Sequence, residues 1–294
     1  MITQTDHHKN RGMLKMHNAR ILLPFIVLSL LGTALLPGCT RMGGLRARMA
    51  AKELAHQVPI EGDPITVGRL NAIVIDNPNG KVKVYAKSGH EEAHIYFRVD
   101  KERQLRFRAA RQGFDFDPVG EYFTAVHTNN GELSTLTVSP TDLTVEGYRP
   151  PVDLTVYIPQ CDGLEVRNAG GKVIIVGVTG VINVESGTNI REGGHIEIRT
   201  DKSQVETIHA TTNNGHVTLV TGPESAGTIE LIAPRGKTSF SSRYGVINHS
   251  MPSKGHWTGI WNDGINEIRL NTEDGNATVM VVENPVMFSS GNTW

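Results

Sequence analysis

Two cysteines, Cys39 and Cys161, are all that this chain of 294 residues carries, and aromatics make up only 6% of it. With Cys39 assigned to another role below, no internal disulfide can form, so stability must come from packing and strand pairing. Basic and acidic residues nearly cancel, 29 against 30. That leaves no basic surplus of the kind nucleic-acid binders carry, and no nucleic-acid partner is expected. No apolar run reaches the roughly 20 residues of a membrane-spanning helix. A P-loop, a G-x-S-x-G elbow and a Cys-x-x-Cys pair are all missing, so no cofactor is expected from any of those motifs. What is present in quantity is glycine (31) and proline (14), a turn-rich composition.

The N-terminus reads as a leader. Lys9, Arg11, Lys15 and Arg20 precede an apolar run of 16 residues, Ile21 to Leu36, the layout of a secretory signal. The run ends at Leu36-Pro37-Gly38-Cys39, which resembles the lipobox of bacterial lipoproteins. That resemblance implies cleavage before Cys39, lipid on its thiol, and a body held at a bacterial envelope membrane. The outer membrane or the periplasmic face is favoured if the source has two membranes. Pro37 departs from the usual pattern, and a plain signal peptide with a chance cysteine is the competing reading. Several acyl chains, at about 0.8 kcal/mol per buried CH₂, would anchor the body stably. Without residues 1–38 the charge balance turns mildly acidic.

Beyond the leader, residues 39–64 read as the lipidated cysteine and a tether with one short helix between Leu45 and His56. Residues 65–160 read as a β region with an irregular insertion over 101–150, residues 161–285 as a regular stack, and residues 286–294 as a tail. The stack is written in a phrase, a glycine followed by an alternating strand. It occurs at Gly171-Lys172-Val173, Gly194-His195-Ile196, Gly215-His216-Val217, Gly236-Lys237-Thr238 and Gly275-Asn276-Ala277. Steps of 23, 21, 21 and 39 residues between these glycines lie in the range of stacked repeats. A second strand is expected in each unit, at Val181–Val184, Val205–Ile208 and Ile229–Ile232. One such coil cannot bury its inner face, whereas stacking at about 4.8 Å per strand does so. The expected fold is therefore all-β, a β-solenoid with glycine corners behind a short helical signal and tether.

Val152-Asp153-Leu154-Thr155-Val156-Tyr157-Ile158-Pro159, then Leu164-Glu165-Val166 and the Gly171 phrase, carry a family resemblance. Ile268-Arg269-Leu270-Asn271-Thr272-Glu273-Asp274-Gly275 adds a closing repeat. Over about residues 65–283 the chain resembles the putative-adhesin family, envelope-associated β-solenoids of unknown function. The resemblance implies a surface location and transfers no catalytic residue.

Several residues invite chemistry. His90-Glu91-Glu92-Ala93-His94 matches the zinc-protease pattern H-E-x-x-H, which needs both imidazoles one helical turn apart. Here it abuts an alternating run, and in a strand the two histidines lie about 13 Å apart, too far to share one zinc. His195 and His216 each follow a corner glycine and would stack one rung apart if the coils keep register. They are weak metal candidates, since Lys172 and Lys237 hold the matching positions; no metal is expected. Trp257 and Trp261 interrupt the repeat, either covering the end of the stack or forming a ligand platform. Cys161 reads as a loop thiol. The expectation is a non-enzymatic envelope protein that presents a surface for adhesion, scaffolding or sensing to an unknown protein or polysaccharide partner. The alternative is a carbohydrate-binding module or a polysaccharide-active β-helix enzyme.

Overall fold

The structure, a computed structural model, describes residues 65–66, 70–87, 92–99, 123–129, 134–140, 151–187, 193–200 and 203–288. The leader, Cys39, the tether, most of 101–150 and the last six residues lie outside the described residues, as do His90 and Glu91.

Every regular element described is a strand. Their order begins β1 (Ile65–Thr66), β2 (Ala72–Asn77), β3 (Val82–Ala86), β4 (Glu92–Val99), β5 (Phe123–Asn129), β6 (Ser134–Pro140) and β7 (Val152–Ile158). It continues with β8 (Gly163–Asn168), β9 (Val173–Val176), β10 (Val181–Ser186), β11 (Ile196–Arg199), β12 (Ile208–Asn214) and β13 (Val217–Thr221). It closes with β14 (Gly227–Ile232), β15 (Thr238–Ser241), β16 (Ile247–Ser253), β17 (His256–Trp261), β18 (Glu267–Asp274) and β19 (Ala277–Val281).

Two sheets take these strands almost alternately. One has nine strands in the order β1-β4-β7-β3-β9-β11-β13-β19-β15; the other has ten, β16-β17-β14-β18-β12-β10-β8-β2-β6-β5. Neighbours along both central stretches are parallel and in register, because each chain passage crosses to the other sheet before returning. Alternation of side chains sets which face is buried. In β10 every second residue is inside, Ile182, Val184 and Ser186. Register then aligns like with like: Ile73, Leu164, Ile182, Ile208 and Ile268 form one row across the ten-stranded sheet. Val84, Ile175, Ile198, Leu219 and Val279 form the facing row in the other. These rows are at most 1% exposed and make one continuous core.

At the corner leaving the ten-stranded sheet, the buried column becomes polar. Asn77, Asn168, Ser186, Thr212 and Thr272 lie side by side in register, each no more than 2% exposed. Four donate to corner glycine carbonyls: Asn168 Nδ2 to Gly171 at 3.2 Å, Ser186 Oγ to Gly171 at 3.3 Å, Thr212 Oγ1 to Gly194 at 3.0 Å and Thr272 Oγ1 to Gly215 at 2.7 Å; Asn77 Nδ2 donates to the Val152 carbonyl at 3.2 Å. Carbonyls turned away from both sheets thereby keep a partner. Replacing Thr272 by valine keeps the shape and removes the donor. We expect stability to fall by about 1 kcal/mol, read as a lower urea midpoint with an unchanged slope.

Three expectations need correction. The second strand of one unit is not Val205–Ile208 but Ile208–Asn214, and Val205 is 53% exposed. The inward place there belongs to Gln204, whose amide donates to the carbonyls of Gly180 at 2.8 Å and Glu206 at 3.2 Å. Cys161 is no loop thiol: it is fully buried, and its backbone bridges to Leu70. Its thiol donates to the Gly163 carbonyl at 2.9 Å, and burial pushes its pKa up to about 11. Finally, spatial order departs from chain order. The pair β18–β19 sits between β12–β13 and β14–β15, because β14 gives its other edge to the antiparallel β17.

Candidate functional site

The outward faces of the two sheets carry the chemistry. On the nine-stranded sheet, the residue after each corner glycine forms a row that runs Lys172, His195, His216, Asn276, Lys237. His195 and His216 stack as the register implies, with ring centroids 4.9 Å apart and planes tilted by 31°. Lys172 flanks the pair as expected. Lys237 does not, because Asn276 intervenes.

These side chains also tie the rungs together. The His216 amide donates to His195 Nδ1 at 2.9 Å, the Asn276 amide to His216 Nδ1 at 2.9 Å, and the Lys237 amide to Asn276 Oδ1 at 3.0 Å. At the other end Asp153 Oδ1 accepts the Lys81 amide at 2.9 Å. An imidazole that accepts at Nδ1 carries its proton on Nε2 when neutral. A neutral Nε2 bearing that proton has no lone pair for a metal, so this tautomer opposes the shared-metal role. Among the described residues no group of three or more His, Cys, Asp or Glu side chains is placed to hold a metal ion.

Beside the histidines, Glu197 is only 9% exposed. Its carboxylate takes a hydrogen bond from Arg199 Nε at 2.8 Å, a further contact from Arg199 Nη2, and Lys172 Nζ at 3.2 Å. Burial pushes the Glu197 pKa up, but the bonds and charges of Arg199 and Lys172 outweigh it and leave the pKa lowered. Burial, with the charges of His216 and Lys172, lowers the pKa of His195. A cavity of about 190 Å³ adjoins them, with Val220, Met280 and Phe288 as its apolar side.

The ten-stranded sheet carries the larger recess, about 540 Å³, across β8, β10, β12 and β18. Two rows of outward side chains line it in register. One runs Glu165, Asn183, His209, Arg269; the other runs Arg167, Glu185, Thr211, Asn271. Arg167 Nη2 lies 2.7 Å from Glu165, and Arg269 Nε lies 3.3 Å from Glu230. Glu230 also meets His256 Nε2 at 3.1 Å, and His209 Nε2 lies 3.1 Å from Glu267.

Trp257 and Trp261 are 8% and 2% exposed. Trp257 stacks on Phe240 at 5.3 Å with planes 1° apart, and Trp261 meets the same ring at 5.3 Å. Their rings cover Phe240 at the end of its row, and their exposure leaves little aromatic face for a ligand. Glu92 and His94 lie in the extended β4, where the one-turn spacing of the zinc motif does not form. The recess residues were missed because each alone is an ordinary outward polar residue. Their signal is visible only after the strands are aligned: positions that face water yet alternate acid, base and amide across rungs.

No protein-family description matches the chain, and no curated protein matches it significantly. Among solved structures it is similar to a "putative cell adhesion protein" from Clostridium sporogenes, at 10% identity and TM-score 0.36, covering 77% of this chain and 97% of that one. It is similar to a "putative adhesin" from Bacteroides fragilis at 11% identity and TM-score 0.26, over 76% of this chain and 99% of that one. A "putative lipid binding protein" from Parabacteroides distasonis follows at 8% identity and TM-score 0.21, over 78% and 100%. Likenesses this distant carry no argument about what this chain binds.

Proposed function

We propose that this chain is a non-enzymatic protein of the bacterial envelope, anchored by lipid on Cys39, whose β-solenoid presents an outward face for adhesion, scaffolding or sensing. One observation carries the non-enzymatic part. In the large recess the carboxylates of Glu165 and Glu267 each face a basic side chain within 3.1 Å, and outside its lining Glu230 lies 3.3 Å from Arg269. Groups held this way are fixed donors and acceptors, which suits recognition, whereas glycoside cleavage needs one carboxyl kept protonated beside another kept ionised. The lipobox carries the anchoring part.

Metabolic labelling with palmitate tests the anchor. Label is expected in the full chain expressed in a bacterial host and is expected to vanish in Cys39→Ala, which then partitions with soluble proteins. Label that persists in Cys39→Ala removes the anchor from this reading. Release of reducing ends from any envelope polysaccharide by the purified protein overturns the non-enzymatic role.

A further inference from the structure

We propose that the recess on the ten-stranded sheet binds an uncharged, hydroxyl-rich glycan chain lying across the strands. The proposal rests on the display role above and names what that face would hold.

Four features support it. The first is repetition: β8, β10, β12 and β18 are parallel, adjacent and in register, so the recess offers its groups at steps of about 4.8 Å. That is close to the length of one pyranose unit in an extended chain, so successive sugars would meet successive rungs. The second is charge. Acids and bases share the recess and pair, Glu165 with Arg167 at 2.7 Å inside it, while Arg269 of the recess pairs at 3.3 Å with Glu230 outside its lining. A polyanion would have to draw the arginines off their carboxylates while lying over the remaining acids, and a polycation faces the converse. A neutral ligand disturbs neither pair.

The third is hydrogen-bonding capacity. Asn183, Thr211 and Asn271 each offer a donor and an acceptor, and the paired Arg and Glu side chains add fixed N–H groups and lone pairs. Vicinal hydroxyls, each both donor and acceptor, match that set. The fourth is size and rigidity. About 540 Å³ lies within the roughly 300–1,000 Å³ of small-molecule sites. It stands on central strands with neighbours on both edges, so little order need be gained on binding. Among the described residues no Phe, Tyr or Trp lines the recess, so recognition here would run mainly through hydrogen bonds rather than stacking. The smaller cavity beside His195 has an apolar side and fits such a ligand less well.

The intact protein should be assayed on an array of neutral oligosaccharides, with polyphosphate and polylysine as charged probes. Binding to a neutral glycan is expected, strengthening with chain length up to about four units, one per strand of the recess, and changing less than about twofold between low and high salt. Asn183→Ala and Thr211→Ala should each weaken it about tenfold, with thermal melting unchanged because both side chains lie on the outward face. Binding only to a charged probe with steep salt dependence overturns the proposal. So does the absence of any neutral-glycan binding by folded protein, or binding that both substitutions leave intact. Any of these with Cys39 still lipid-labelled removes the glycan and leaves the envelope role standing; loss of the label with glycan binding retained does the reverse.

Discussion

Gly180→Ala is expected to cost about 4 kcal/mol or more and to abolish cooperative unfolding at moderate temperature. Gly180 forms the corner that leads into β10, with a φ of +74°. A Cβ placed there would lie 1.5 Å from the carbonyl oxygen of Asp162 and 2.2 Å from its carbon. Both atoms belong to the backbone of the preceding rung, so no side chain can swing aside. That corner is also pinned: Thr179 donates its amide and its hydroxyl to the Cys161 carbonyl, both at 3.1 Å, and its hydroxyl contacts Asp162 Oδ1 at 3.1 Å. To admit the methyl, β8 and β10 must part where Ile182 meets Leu164 in the core. Urea unfolding followed by circular dichroism measures the effect. A midpoint within experimental error of the parent protein would show that the rungs can spread without loss.

Acid is expected to loosen the stack before it protonates most carboxylates. His195 accepts the His216 amide at Nδ1, and protonating Nδ1 turns that acceptor into a donor facing a donor. The folded state therefore favours the neutral ring, and burial, with the charges of His216 and Lys172, lowers its pKa. The sign follows from linkage: a histidine with a lowered folded pKa binds fewer protons folded than unfolded, so stability rises with pH across the gap. The contribution is present above the unfolded value of about 6.5 and is lost as pH falls below it. Loss of the acceptor for the His216 amide makes the cost about 1 kcal/mol between pH 7.5 and pH 5. Glu197, whose pKa is lowered, contributes to acid sensitivity only at lower pH. The chain itself supplies the control, since Asn276 does at the next rung what the histidines do, through an oxygen that does not titrate in this range. His195→Asn should keep the bond and flatten the pH dependence, whereas His195→Ala should lower stability at both values. An unchanged slope in His195→Asn would place the acid sensitivity elsewhere.

The sequence showed the strands far better than it showed their neighbours. Alternation and glycine corners identify β9, β10, β11, β13 and β19, because a side chain's direction along an extended strand depends only on parity. The stacking of His195 on His216 was legible for the same reason, since both sit one residue after their corners. Asn276 was also one residue after a glycine, but its place beside His216 was hidden: adjacency along a sheet is set by tertiary packing, and the hairpin β16–β17 diverts the chain before β18 arrives. Gln204 misled because a buried amide replaced the expected apolar residue and moved the strand start to Ile208. The polar corner column could have been found: Asn77, Asn168, Thr212 and Thr272 each lie three residues before a corner glycine. Cys161 looked like a loop residue between Pro159-Gln160 and Asp162-Gly163, and only its bridge to the distant Leu70 reveals its burial.

The place of β18–β19 between two earlier strand pairs bears on how the chain reaches this arrangement. The His216 imidazole joins Asn276 across 60 residues of chain, and β14 and β15 touch the growing sheets through β18 and β19. During synthesis, β12–β13 and β14–β15 emerge before the segment that belongs between them. Until that segment arrives, β14 and β15 lack the strands that join them to β12 and β13. Direct pairing of β12 with β14 is the natural kinetic trap, because both present the same alternating inner face. Such long-range closure belongs to the slow end of folding rates, and β14 and β15 take their places in the sheets only through the later-made β18 and β19.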